Sequence, residues 1–217
     1  MIRLRDVSKT FETAGGTRVI LDRVSMDVHA GQRVGILGRN GSGKSTLIKI
    51  IGGTSRPTSG TVTTSLRVSW PLAFGGAFQG SLTGLDNLRF ICRIYRTNFA
   101  DAVERVAEFS DLGAYLREPV KTYSSGMRAR FAFAVSLAVD FDCFLIDEVV
   151  AVGDSRFHER CRRELFENRS SRAMILVTHD EGTLREYCRS AAVLSHGTLS
   201  PFGEIQESLD RYRASCL

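Results

Sequence analysis

GRNGSGKST, residues 38–46, stands between the apolar run RVGIL (33–37) and a helical pattern that runs from Lys44 to Ile51 and stops at Gly52-Gly53. It fits G-x-x-x-x-G-K-[ST] at every fixed position, in the strand–turn–helix setting that gives the motif its meaning. Glycines let the backbone wrap a phosphate chain without Cβ clashes, so that successive amides converge on its oxygens. The helix that follows adds the positive end of its dipole. Lys44 is placed to reach the β- and γ-phosphates, and Ser45 to ligate Mg²⁺. The phosphate-binding set is therefore Gly38, Arg39, Asn40, Gly41, Ser42, Gly43, Lys44, Ser45 and Thr46.

Working outward, residues 1–37 read as β-rich: IRLRDV, RVILDRVSMDV and RVGILG, with AGG and HAGQ as turns. SGTVTTSLRVSW reads as a further strand pair. Residues 85–117 carry apolar positions at helical spacing, in LDNLRFICRIYR and ADAVERVAEFSDLGAYL, and Ser125–Val139 is another helix. CFLID and MILVTH are short apolar runs ending in polar residues, the pattern of buried parallel strands. AAVLSHGTLSPFG reads as a closing hairpin, followed by the helix EIQESLDRYRAS. The expected fold is an α/β core of the P-loop type, with an N-terminal antiparallel β subdomain and a helical subdomain inserted at about residues 80–135. All of residues 1–217 are expected to form one such domain.

CFLIDE (143–148) supplies an acidic end to match the phosphate loop. A buried strand delivers Asp147 and Glu148 at its C-terminal tip, the edge at which α/β sheets bind ligands. Asp147 is expected in the Mg²⁺ shell, and Glu148 as the general base that polarises an attacking water.

With these motifs in place, the chain resembles ATP-binding cassette (ABC) ATPases over essentially its full length. YSSGM (123–127) stands where that family has its L-S-G-G-Q signature. Asp154 matches the D-loop aspartate, His179 the switch histidine at the γ-phosphate, and Phe11 the aromatic that stacks on adenine. The resemblance implies two cassettes packed head to tail, each ATP lying between one copy's phosphate loop and the other's signature. Ser124 and Gly126 would then bind a phosphate held by the partner. WPLAFGGAFQGSLTGLDNLRFICRIY, YSSGMRARFAFA and LIDEVVAVGD further resemble the ATPase subunits that export capsular and related polysaccharides. That implies ATP and Mg²⁺ as cofactors, a homodimer, a separate integral membrane permease, and a polysaccharide handled by the complex. It places the chain peripherally at the cytoplasmic face of the bacterial inner membrane.

The signature departs from the family's usual form at Ser125 and Met127, and Val149 replaces the proline usual after the glutamate. The Q-loop glutamine position falls near Phe74. Gln79, several residues later, reads equally as a Mg²⁺ ligand on a rearranged loop and as a surface residue. Phe90, Tyr95 and Phe99 fit either a coupling surface or, more commonly at this spacing, subdomain core. His29, His158 and His196 read as surface or turn residues.

Composition narrows the alternatives. A net charge of +5 could suit nucleic acid, but the basic residues are spread out, and the densest cluster, Arg156 to Arg163, reads as a solvated helix face. No nucleic-acid partner is expected. Five scattered cysteines without a C-x-x-C pair argue for reduced thiols. No apolar run reaches the 18 residues of a membrane span, and the first residues lack a signal-peptide core. An exporter of drugs or lipids shares the same ATPase chemistry. A soluble cassette protein of translation or repair usually has two fused cassettes or a long insert. A small-molecule P-loop kinase has no need of YSSGM, Asp154 and His179.

Overall fold

The computed structural model describes residues 1–72, 78–147 and 155–215. The chain divides into two compact units, one of Met1–Pro71, Phe141–Val149 and Arg169–Leu217, the other of Leu72–Asp140 and Val150–Asn168.

The first unit begins with a long antiparallel ribbon, β1 (Ile2–Thr13) and β2 (Gly16–Val28). Gly16 takes φ +108° at the turn, a conformation that glycine alone adopts without cost. Ile2 and Leu4 are fully buried between exposed Arg3 and Arg5, so β1 alternates as a half-buried strand should. β4 (Ser59–Thr64) pairs with the other edge of β1, giving the order β2-β1-β4.

The second sheet has the order β5-β6-β7-β3-β8-β9. β3 (Arg33–Leu37), β5 (Val68–Pro71), β6 (Cys143–Asp147), β7 (Ala173–Thr178) and β8 (Ser190–Ser195) run parallel. β9 (Thr198–Leu199) closes an antiparallel hairpin with β8. β6 and β7 are apolar almost throughout and buried, because strands covered on both faces need no polar side. The expected pairing of SGTVTT with RVSW does not occur: β4 joins the first sheet and β5 pairs with β6. Alternation marks a strand but not its partner, which distant residues supply. Packed with these sheets are α1 (Lys44–Ile51), α6 (Glu181–Tyr187) and α7 (Ile205–Ala214). Leu47 and Ile48 of α1 share a core with Val34, Ile36, Leu145 and Val177. Trp70 is buried edge-on to Phe141, with ring centroids 5.3 Å apart.

The second unit is helical. α2 (Gly84–Tyr95) is capped by Thr83, whose hydroxyl accepts from the Asp86 amide, and α3 (Phe99–Ser110) by Asn98 in the same way. The helical pattern expected to continue to residue 117 breaks at Asp111, φ +57°, and Gly113, φ +51°, and resumes as a 3-10 turn, Gly113–Arg117. α4 (Ser125–Ala138) is buried on all sides from Phe131 onward. α5 (Ser155–Arg163) runs into a π-helical turn, Glu164–Asn168. Phe109, Phe133 and Phe157 stack between α3, α4 and α5 at 5.5–6.2 Å. The Arg156–Arg163 cluster is more than a solvated face. Arg160 lies 4.7 Å over Phe109 and donates to the carbonyls of Glu108 and Phe109, which end α3. Tyr95 and Phe99 are half-buried, but Phe90 is 60% exposed and is surface rather than core.

Candidate functional site

The phosphate loop is built from three glycine positions with different reasons. A Cβ on Gly38 would lie 2.5 Å from Ser42 Oγ and 2.6 Å from the Leu194 carbonyl, so packing alone excludes a side chain. Gly43, at φ +107°, is the N-cap of α1, and a Cβ there would meet the Ile20 carbonyl at 2.8 Å. Gly41, at φ +82°, faces open space. Lys44 is only 6% exposed, and its ammonium donates to the Gly38 carbonyl at 2.7 Å and the Arg39 carbonyl at 3.0 Å. The cation is thereby held inside its own loop.

Parallel register brings the remaining groups to the same edge. Leu37 of β3 pairs with Thr178 of β7, and Asp147 of β6 pairs with Val177. The residues that leave the carboxyl ends of three adjacent strands are thus Gly38, Asp147 and His179. His179 is exposed and lies between two anchored neighbours. Thr178 Oγ1 accepts from the Asp180 amide at 2.9 Å, and Asp180 caps α6 by accepting from the Thr183 amide at 2.7 Å. Thr183 holds the Asp180 carboxyl below its ordinary pKa.

Asn40, Gly41, Gly43, Lys44, Ser45, Thr46 and Asp147 line one cleft of about 550 Å³. Arg39 and Ser42 line an adjoining one of about 450 Å³, with Ser195, His196 and Gly197 on its far side. Arg18 and Ile20 of β2 wall both clefts. Sequence reasoning missed these two, since an exposed hairpin residue carries no local signal of what it faces. Phe11 does not line either cleft. It is 47% exposed with Lys9 Nζ 5.1 Å over its ring, yet it pairs across the ribbon with Arg18. Directly paired residues share a face, so Phe11 is on the side of the ribbon that carries Arg18 and Ile20. Glu148 and Asp154 lie outside the described residues, as does the Q-loop position at Phe74.

The site fits a polyphosphate with a divalent cation. Ser42 Oγ is buried without a partner, Gly41 leaves its Cβ position open, and a hydroxyl and a carboxylate (Ser45, Asp147) share the cleft as hard oxygen donors.

In the helical unit, Ser124 caps α4: its hydroxyl oxygen accepts from the Met127 amide at 3.2 Å. The serine therefore has a local partner as well, while its O–H proton remains available to donate. The Arg128 amide returns to the Ser124 carbonyl, so Ser125 and Gly126 carry the amides left at the helix end. A Cβ on Gly126 would meet nothing nearer than Ser124 Oγ at 4.0 Å. Packing within the chain does not require glycine there. Gln79 is exposed, and its backbone is clamped at both ends by buried Asn87, whose Oδ1 accepts from the Gln79 amide at 2.9 Å and whose Nδ2 donates to the Gln79 carbonyl at 3.1 Å.

Comparison with known proteins agrees with this geometry. The family model described as ABC transporter matches residues 21–151. The chain is 53% identical over 212 residues to the ATP-binding protein BexA of Haemophilus influenzae, covering 98% of each. It is 53% identical over 214 residues to the capsule polysaccharide export ATP-binding protein CtrD of Neisseria meningitidis serogroup B, covering 99% of each. Among solved structures, the ATP-binding cassette MJ0796, a dimer in a post-hydrolysis state bound to ADP and Pi, superposes with a TM-score of 0.79 at 22% identity, over 94% of this chain and 99% of that one. At that identity the likeness speaks for the fold.

Proposed function

The chain belongs to the ABC transporter family, and from that premise we propose that it is the ATP-hydrolysing subunit of a capsule-type polysaccharide exporter, acting with a separate membrane permease. Its similarity along nearly the whole chain to a capsule export ATP-binding protein supports this reading over a drug or lipid exporter. No helix among the described residues is long and apolar enough to cross a membrane; in this reading the permease would supply the path. The assembly would sit at the cytoplasmic face of the inner membrane. We read the two units as one ATP-binding domain whose helical part is an insertion at about residues 80–135.

We assign the roles as follows. The loop amides and Lys44 hold the phosphates, and Phe11, on the Arg18 face of the ribbon, offers a surface for the base. Ser45 and Asp147 would hold Mg²⁺, which neutralises charge on the β- and γ-oxygens; Gln79 is a third candidate ligand. Glu148, next after Asp147, takes a proton from the attacking water as its oxygen bonds the γ-phosphorus and the bond to the β–γ bridging oxygen breaks. His179, at the same sheet edge, donates to the γ-phosphate.

Two copies share each site. The observation that carries this is the N-terminus of α4: the Ser125 and Gly126 amides, the Ser124 hydroxyl proton and the space ahead of Gly126 serve nothing among the described residues. We assign them to the phosphate held by a second copy, with Asp154 bridging the same interface. The export role is tested in cells. Loss of this chain should leave polymer inside the cell, and the parent chain should restore it to the surface where Lys44→Ala does not. Surface polymer restored by Lys44→Ala would overturn the proposal.

A further inference from the structure

Where the family's usual signature begins with leucine, this chain has Tyr123, directly before Ser124. The ring is 2% exposed and lies edge-on to Phe131, with centroids 5.9 Å apart. Its phenol O–H donates to the Tyr115 carbonyl at 2.7 Å, which a leucine could not do. Its own carbonyl accepts from the Arg128 guanidinium, also at 2.7 Å, closing the backbone back onto the first turn of α4. Gly84, the first residue of α2, makes room for the hydroxyl, since a Cβ there would lie 2.5 Å from it. The chain on either side is laced down as well. The Gly80 carbonyl accepts from the Lys121 amide at 2.8 Å, and the Leu82 carbonyl from the Val120 amide at 2.9 Å. The first residue of the signature is thus fixed at its ring, its hydroxyl and its carbonyl, within one unit.

The hydroxyl bond itself is not what holds the fold. The Tyr115 carbonyl also accepts from the Glu118 amide at 2.9 Å, so it keeps a partner if the hydroxyl is removed. The hydroxyl fixes the Tyr123 ring on the Tyr115 carbonyl, while the Arg128 guanidinium holds the peptide just ahead of Ser124. A helix end that must meet a phosphate on another molecule has to hold its donors still, because each misaligned donor weakens the contact steeply.

We propose that Tyr123 is a positioning residue for the shared site: its hydroxyl, fixed on the Tyr115 carbonyl, orients Ser124 and the α4 amides toward the phosphate bound by the second copy. The proposal rests on the shared-site reading above, and the experiment separates the two.

Lys44→Ala and Ser124→Arg chains are mixed, so that the live site combines the signature of the first with the phosphate loop of the second. Recovery of activity by this mixture tests the shared site alone. Tyr123→Phe, which keeps the ring, is then added to one chain at a time. Placed on the Lys44→Ala chain, whose signature is in use, it should lower activity about fivefold, the worth of one neutral hydrogen bond. Placed on the Ser124→Arg chain, whose signature is already broken, it should change nothing. Equal losses in both placements, or none in either, would overturn the proposal. A second measurement does not depend on mixing. In a Glu148→Gln background, Tyr123→Phe should raise the ATP concentration for half-maximal dimerisation about fivefold, while nucleotide affinity of the separate chain stays unchanged. An unmoved dimerisation midpoint, or an equal fall in the affinity of the separate chain, would count against it.

Discussion

Substituting Gly126 by Ala separates what the fold requires from what the site requires. The added Cβ has Ser124 Oγ at 4.0 Å as its nearest neighbour, ordinary van der Waals contact, so no strain follows. Gly126 lies in the first turn of α4, where the roughly 1 kcal/mol that glycine costs relative to alanine in a helix interior is an upper bound. Stability should therefore be unchanged or rise by up to ~1 kcal/mol, which for a domain of this size is a Tm increase of about 2–4 °C. Activity should move the other way. The methyl group occupies the space by which a phosphate oxygen would reach the helix-end amides. Losing one charge-assisted hydrogen bond costs about 1.5–3 kcal/mol, so ATP hydrolysis should fall at least about tenfold. Thermal unfolding and steady-state phosphate release on the same preparation decide the matter. Undiminished hydrolysis would refute the reasoning, and a Tm lowered by several degrees would show that the fold itself needs the glycine.

Glu148→Gln should leave ATP binding intact while hydrolysis falls by about 10²-fold or more, with an ATP-bound dimer accumulating in size-exclusion runs; turnover near the parent rate would move the base to another residue, His179 first. The thiols should be slow to react in the native chain, because burial pushes Cys143, Cys161 and Cys188 up to about 12 and raises Cys92. At pH 8 Cys143, Cys161 and Cys188 are protonated, burial disfavours the thiolate of Cys92, and the thiolate is the nucleophile. Rapid modification of these four by an aromatic disulfide reagent, mapped by peptide mass, would contradict the packing described.

Much of the site was legible because its signals are local. The phosphate loop sits between a buried strand and a helix whose ends, Lys44 and Ile51, fall where glycines and periodicity put them. CFLID and MILVTH were recognisable as buried strands from apolar runs alone, and parallel pairing then brings Asp147 and His179 to one edge. What stayed hidden depends on residues far apart in sequence. β4 and β5 look like a hairpin but belong to different sheets. Arg18 faces the cleft only because β2 is registered on β1, and Gln79 is held by a buried asparagine eight residues on. Tyr123 drew no comment in the sequence, and its role depends on a hydroxyl that reaches the Tyr115 carbonyl eight residues back. The helix start at Ser125 was legible, and Ser124 just before it caps the helix in the familiar N-cap arrangement.

The shared site is tested most directly by mixing two inactive proteins. Lys44→Ala removes the phosphate-loop cation, and Ser124→Arg fills the position ahead of α4 with a bulky side chain. Each homodimer should be nearly inactive. In a mixed dimer one site inherits both lesions, while the other joins an intact Lys44 to an intact Ser124. ATPase activity should therefore return, up to half of the parent value per mixed dimer if the sites act independently. If the signature instead served its own chain, every subunit in the mixture would carry a lesion and no activity would return. A mixture that shows neither activity nor ATP-dependent dimerisation, with both chains folded, would contradict the account.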